Sequence, residues 1–202
     1  MLLQLKQLKT TGMRQAVTWQ MQAGQLWLIY GASGSGKSRL LKALSDLVAR
    51  EGEALLLGKS VDAMNAHEWR RKVMYFPAET AWWLDKVADH FSVLPKESSL
   101  QAVGLTMSLL QQHPDQLSSG EKQRLALLRG LAFQPNVLLL DETSANLDPE
   151  STLLVEQLVQ DYVKAEANRG AIWISHDVAQ RERLACPSYC CSIDDLYENQ
   201  AG

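Results

Sequence analysis

Cysteine is scarce in this sequence: Cys186, Cys190 and Cys191 are the only three, and they cluster late. An odd, late group does not make a disulfide framework. No histidine lies beside it, so "YCCSI" reads as a short terminal strand in a reducing compartment rather than a metal site. Long apolar runs are missing too. "LWLIY" and "VLLL" fall far short of the roughly 20 residues a membrane helix requires. Excess positive charge is absent, the net charge being −3, which argues against a nucleic-acid binder that works by bulk charge; no nucleic-acid partner is expected. Internal repeats and low-complexity linkers are lacking as well. What remains is 202 residues, 46% hydrophobic and 21% charged, the composition of one globular unit with a sizeable core.

The segments that are present alternate in type. "MLLQLKQLKTTG" alternates apolar and polar residues and is broken by Lys6 and Lys9, so it reads as a first strand and not as a secretory signal. "QLWLIY" is a buried strand ending at Gly31. "RLLKALSDLV" sets Leu40, Leu41, Leu44, Leu47 and Val48 on one helical face. "EALLLGKSV" reads as strand and turn, "NAHEWRRKV" as a short helix and "VMYFP" as a strand. Residues 84–130 have helical periodicity and no strong strand, through "WLDKVADHF", "LQAVGLTMSLLQQ" and "GEKQRLALLRGLAF". The strand "NVLLLDE", the long helix "PESTLLVEQLVQDYVKAEAN" opened by Pro149, and the strand "AIWISHD" follow. Strands alternating with helices predict an α/β fold with a mostly parallel sheet covered on both faces, interrupted by a small helical insertion.

Gly31-Ala32-Ser33-Gly34-Ser35-Gly36-Lys37-Ser38 fits the phosphate-loop pattern in full, between a predicted strand and a predicted helix. Glycines let backbone N–H groups turn towards a phosphate chain, and the helix N-terminus adds its positive dipole end. Lys37 is placed to reach the β- and γ-phosphates and the Ser38 hydroxyl to ligate Mg²⁺. Asp141 and Glu142 end an apolar strand, where α/β ligand sites form. Asp141 suits a second contact to Mg²⁺; Glu142 is placed to orient or deprotonate an attacking water. Ser118, Ser119, Gly120 and Glu121 open a helix, which makes an N-cap and also an anion site.

With these motifs the sequence resembles the ATP-binding cassette (ABC) family over nearly its whole length. "GASGSGKS" is similar to the Walker A loop, "LSSGEKQR" to the signature motif, "VLLLDE" to the Walker B strand and "SANLD", ending in Asp148, to the D-loop. His176 in "WISHD" matches the switch histidine. The resemblance implies a P-loop NTPase fold, with 1–78 and 131–202 as the α/β core and 79–130 as the helical signature subdomain of one nucleotide-binding domain. It implies ATP and Mg²⁺ as cofactors. It also implies a head-to-tail dimer in which each nucleotide lies between one copy's phosphate loop and the other copy's Ser118–Gly120. His176 would contact the γ-phosphate, and the D-loop would cross the interface. The partner implied is a separate integral membrane permease, with the chain on the cytoplasmic face of the membrane. Its compactness looks most like small bacterial ATPases of the iron-export type. The alternatives are a soluble cassette ATPase without a transport role and a module that binds ATP with weak hydrolysis. A P-loop kinase would lack "LSSGEKQR".

The sequence departs from the family in places. Where a glutamine normally follows the "YFP"-like strand to touch Mg²⁺ and water, Ala78 stands, and Glu79 next to it is expected to point elsewhere. No aromatic residue in "LKTTGMRQAV" is available to stack on adenine, which leaves Met13 or Val17 as packing candidates. His67, His90 and His113 match no motif and read as surface residues. Trp82, Trp83 and Phe91 mark the entrance to the helical lobe, where a permease helix docks in family transporters.

Overall fold

The computed structural model describes residues 1–184 and 189–198. Cys186 lies outside them. In chain order the strands are β1 (Leu3–Lys9), β2 (Val17–Met21), β3 (Leu26–Tyr30), β4 (Glu51–Leu56), β5 (Lys59–Ser60), β6 (Val73–Phe76), β7 (Val137–Asp141), β8 (Gly170–Ile174) and β9 (Cys190–Ser192). The helices are α1 (Lys37–Leu44), α2 (Ala66–Lys72), α3 (Glu97–Gln101), α4 (Ser119–Leu131), α5 (Pro149–Lys164), α6 (Val178–Leu184) and α7 (Ile193–Glu198).

The middle strands β7 and β8 are buried along their whole length, so both faces of their sheet must be covered. That sheet is parallel throughout, in the order β6-β7-β8-β3-β9. Alternate residues divide between its faces. Ile29, Leu139 and Ile172 pack with Leu40, Leu41 and Leu44 of α1 and with the apolar side of a second, antiparallel sheet ordered β2-β1-β4-β5. Leu28, Leu138 and Trp173 face the other way, onto Val155, Val159 and Val163 of α5. A separate cluster joins Val87, Leu100, Val103 and Leu110 to Leu125 and Leu128 of α4.

Several expected elements are shorter than their periodicity suggests. α1 stops at Leu44 because Asp46 turns to φ 57 and Leu47 N–H reaches back to the Lys42 carbonyl at 2.9 Å, a left-handed helix close. Leu47 is left 48% exposed. Between 84 and 116 the helical pattern yields only 3₁₀ turns at Val87–His90, Met107–Gln111 and Pro114–Gln116, and the short α3. Pro95, Gly104 and Pro114 divide that stretch too finely for long helices. β1 also breaks its alternation: the register with β2 and β4 shifts near Gln7, so Leu3, Leu5 and Leu8 all become core.

His90 is not a surface residue. It is 9% exposed, its Nε2 accepts the Trp83 and Leu84 N–H groups at 2.8 and 3.0 Å, and its ring contacts both Trp82 and Trp83 edge-on at 4.9 Å. The turn needed a compact acceptor between two indoles, and no periodicity signals that. His67 and His113 are exposed, and the His113 Nδ1 caps the turn at Pro114 by accepting Asp115 N–H.

Candidate functional site

The phosphate loop leaves the C-terminal end of β3 and enters α1. It curls around a cavity of about 410 Å³ lined by Gly12, residues 33–39, Glu142 and His176. Lys37 is buried and its Nζ donates to the Gly31 and Ala32 carbonyls, each at 2.9 Å. Burial lowers the pKa of its ammonium, opposed by the carboxylates of Glu142 and Asp141. An ammonium held by loop carbonyls beside an anion cradle is set to meet phosphate oxygens.

Asp141 closes β7 next to this loop. Its Oδ1 accepts the Ser38 hydroxyl at 2.9 Å. Hydroxyl and carboxylate oxygen together form the hard donor set that Mg²⁺ takes, and the metal characteristically completes its shell with phosphates and water. Among the described residues no group of three or more His, Cys, Asp or Glu could hold a metal ion. The residues present fit MgATP, and Ser38 and Asp141 would hold the metal. Mg²⁺, when bound, neutralises charge on the phosphoryl oxygens.

Glu142 follows directly and has φ 53, a left-handed conformation that a glutamate adopts only when its surroundings impose it. Its N–H is held by the Ile174 carbonyl at 3.1 Å, and its own carbonyl accepts Ala145 N–H at 3.1 Å. The turn brings its Oε1 to 3.1 Å from Nε2 of His176, which sits just after β8. A carboxylate and an imidazole at the mouth of a phosphate cavity can orient a water and accept its proton.

The sequence did not single out Tyr75. Its hydroxyl donates to the second Asp141 oxygen, Oδ2, at 2.6 Å. Tyr75 and Leu139 are register partners, so the phenol projects on the face that Asp141 shares. Burial and the Asp141 carboxylate push its pKa upward, which keeps it a donor. Tyr75→Phe is expected to raise about fivefold the Mg²⁺ concentration that half-saturates nucleotide binding, the worth of one net hydrogen bond. Magnesium titrations of nucleotide binding in both proteins check this.

The structure places Ser118–Glu121 apart from the phosphate cavity, at the head of α4. Ser118 and Glu121 make a reciprocal cap, with Glu121 Oε2 accepting Ser118 N–H at 2.8 Å and Ser118 Oγ accepting Glu121 N–H at 3.2 Å. Ser118 and Ser119 are exposed. Asp148 caps α5 by accepting Ser151 N–H at 2.9 Å, and those Ser151 bonds lower its pKa. Val17 and Met13 are 0% and 6% exposed and belong to the core, so packing takes from them the role of a base platform. Ala78 is half-buried; the preceding Pro77 carbonyl accepts Gln123 Nε2 from α4 at 3.0 Å, and Glu79 is exposed. Burial raises both the Cys190 and the Cys191 thiol, the latter to about 12, which favours the protonated thiol over the thiolate.

A family model described as "ABC transporter" matches residues 14–145. The chain belongs to the ABC transporter family. ATP hydrolysis is therefore the reaction against which this site is read, with ATP and Mg²⁺ as its cofactors. "Probable iron export ATP-binding protein FetA" of Escherichia coli (strain K12) is 33% identical over 174 residues, 80% of this chain and 76% of that protein. "Phosphate import ATP-binding protein PstB" of Aeropyrum pernix is 32% identical over 194 residues, 84% and 76% of the two chains. In fold, the chain resembles a dimeric bacterial ABC transporter cassette, MJ0796, with TM-score 0.73 and 21% identity over 89% of this chain and 90% of that one. A bacterial Atm1-family ABC exporter with ATP bound gives TM-score 0.75 at 19% identity, covering 89% of this chain and 35% of that chain.

Proposed function

We propose that the chain is the ATP-hydrolysing subunit of an ABC transporter, that two copies close head-to-tail on MgATP, and that this closure drives a separate membrane permease from the cytoplasmic face. The observation that carries the reading is the division of the site. Lys37, Ser38, Glu142 and His176 line one cavity, with Asp141 bonded to Ser38 beside it, while Ser118 and Ser119 at the start of α4 are exposed elsewhere. An exposed helix start can take an anion through its backbone amides, and a second copy can present one. The solved dimeric cassette of the same fold supports this arrangement, as do relatives named for iron export and phosphate import. Among the described residues no helix is long and apolar enough to cross a membrane, which suits a separate permease. We assign nucleotide contact to Gly31–Ser38, Ser118–Glu121 and Asp148, metal contact to Ser38 and Asp141, and catalysis to Glu142, His176 and Lys37.

A cavity of about 700 Å³ adjoins the His176–Glu142 pair and is lined by Ser144, Ala145 and Leu147 of the D-loop, a surface a second copy would cover. The test is molar mass by light scattering of the Glu142→Gln chain. Saturating MgATP is expected to double the mass, with or without the permease; a monomer under both conditions sinks the reading.

Movement at this site would pass through α4. Gln123 holds Pro77, and the Arg129 guanidinium lies 4.5 Å from the Trp82 ring and bonds the Ala81 carbonyl. The segment carrying Ala78 is thus fastened to the signature helix without a glutamine at position 78. Ala78→Gln is expected to raise ATP turnover by about fivefold, the worth of one added hydrogen bond to water or metal. An unchanged rate and unchanged stimulation by a permease would show that the position is idle here.

A further inference from the structure

The phosphate loop rests on α7, a segment that no phosphate-loop pattern includes. Ile193, Leu196 and Tyr197 of α7 are 0%, 2% and 3% exposed. The Tyr197 hydroxyl donates to the Ser35 carbonyl at 3.0 Å. A Cβ at Gly36 would lie 2.6 Å from that same hydroxyl oxygen, and a Cβ at Gly31 would lie 2.8 Å from Cγ2 of Ile193. The loop therefore touches α7 near both its ends. Arg14 ties the same helix, through Asp194 at 2.9 Å, to the loop between β1 and β2 that supplies Gly12 to the phosphate cavity. Ser192 and Asp195 cap the helix start reciprocally, at 2.8 and 3.0 Å.

The direction of the Tyr197 bond gives it a consequence. In a trans peptide the C=O and the N–H point opposite ways. The Ser35 carbonyl and the Gly36 N–H share one such plane. Tyr197 is buried and does not line the phosphate cavity, so its hydroxyl draws the carbonyl to the far side of the loop. The Gly36 N–H then faces the cavity. Gly36 has φ 102, and glycine tolerates either sign of φ, so this peptide is one that could flip without a restraint.

We propose that Tyr197 is a positioning residue for the phosphate site: its hydrogen bond fixes the Ser35–Gly36 peptide with an amide donor turned to the anion, so that seating of α7 and binding of phosphate favour one another. The proposal rests on reading the cavity as the nucleotide site.

Tyr197→Phe keeps the ring and removes only the hydroxyl. Calorimetric titration of the full chain with MgADP and with inorganic pyrophosphate is expected to show about fivefold weaker binding of both, one net hydrogen bond's worth. Pyrophosphate has neither base nor ribose, so an equal loss locates the effect at the phosphate cradle. A merely structural role would lower the thermal midpoint and leave pyrophosphate affinity alone. Coupling is reciprocal, so in the unaltered chain MgADP is expected to slow amide exchange across α7. Unchanged pyrophosphate affinity in Tyr197→Phe overturns the proposal. So does α7 exchange that ignores bound MgADP, a measurement that stands even where the variant does not fold. An unaltered chain that binds neither MgADP nor pyrophosphate overturns the nucleotide-site reading instead.

Discussion

Glu142→Gln is expected to cut MgATP turnover by about 10²- to 10⁴-fold, the usual worth of a general base, while MgATP still binds. The substitution is nearly isosteric. Glutamine can keep a polar contact to His176, which now stands 3.1 Å from the Glu142 carboxylate. It cannot accept a proton from water at useful strength. The backbone that aims this side chain is independent of its charge: φ 53 is imposed by the bond to the Ile174 carbonyl and by the turn to Ala145. On the proposed assignment, binding rests on other groups, namely the loop amides, Lys37 and the Ser38–Asp141 pair. Turnover and binding should therefore separate. Steady-state phosphate release with nucleotide titration on both chains measures the split. Turnover within threefold of the unaltered chain would remove Glu142 from the chemistry and leave the chain as a binder whose base lies elsewhere.

What the sequence disclosed about this site follows from how each contact is made. The phosphate loop is contiguous, and its function lies in backbone amides, so a string of glycines with Lys37 and Ser38 announces it. Asp141 and Glu142 can be proposed from the sequence because a run of apolar residues ends on them, and a buried parallel strand has its ligand edge there. Tyr75 was not legible, because its role depends on the register of β6 against β7, which puts it opposite Leu139. Tyr197 lies 162 positions from the Ser35 carbonyl that it bonds. Only the fold makes them neighbours. The same holds for the fold itself. Strands that alternate with helices gave the parallel sheet. The bulge that returns Leu8 to the core, and the turn that buries His90 between two tryptophans, depend on cross-strand and cross-loop partners that periodicity does not encode.

At Gly36 the second large effect is expected, and its size can be divided between two causes. Gly36→Ala places a Cβ 2.6 Å from the Tyr197 hydroxyl oxygen, at a residue with φ 102. Backbone strain of this sort costs about 1–3 kcal/mol, and overpacking typically adds about 1–3 kcal/mol. The loop can relieve both by giving up the conformation that presents its amides. Nucleotide affinity is then expected to fall by about 100-fold or more, from a combined cost of about 3 kcal/mol. Gly34→Ala is the internal control: φ there is +74, yet nothing lies within 4 Å of the added Cβ, so only the strain should remain, about tenfold in affinity. Tyr197→Phe in the Gly36→Ala background removes the colliding oxygen but also the bond to the Ser35 carbonyl, so affinity should recover only to about fivefold below that of Gly34→Ala. Equal losses at Gly34 and Gly36, with no recovery in the double variant, would mean that backbone conformation alone sets the cost and that α7 exerts no steric hold on the loop.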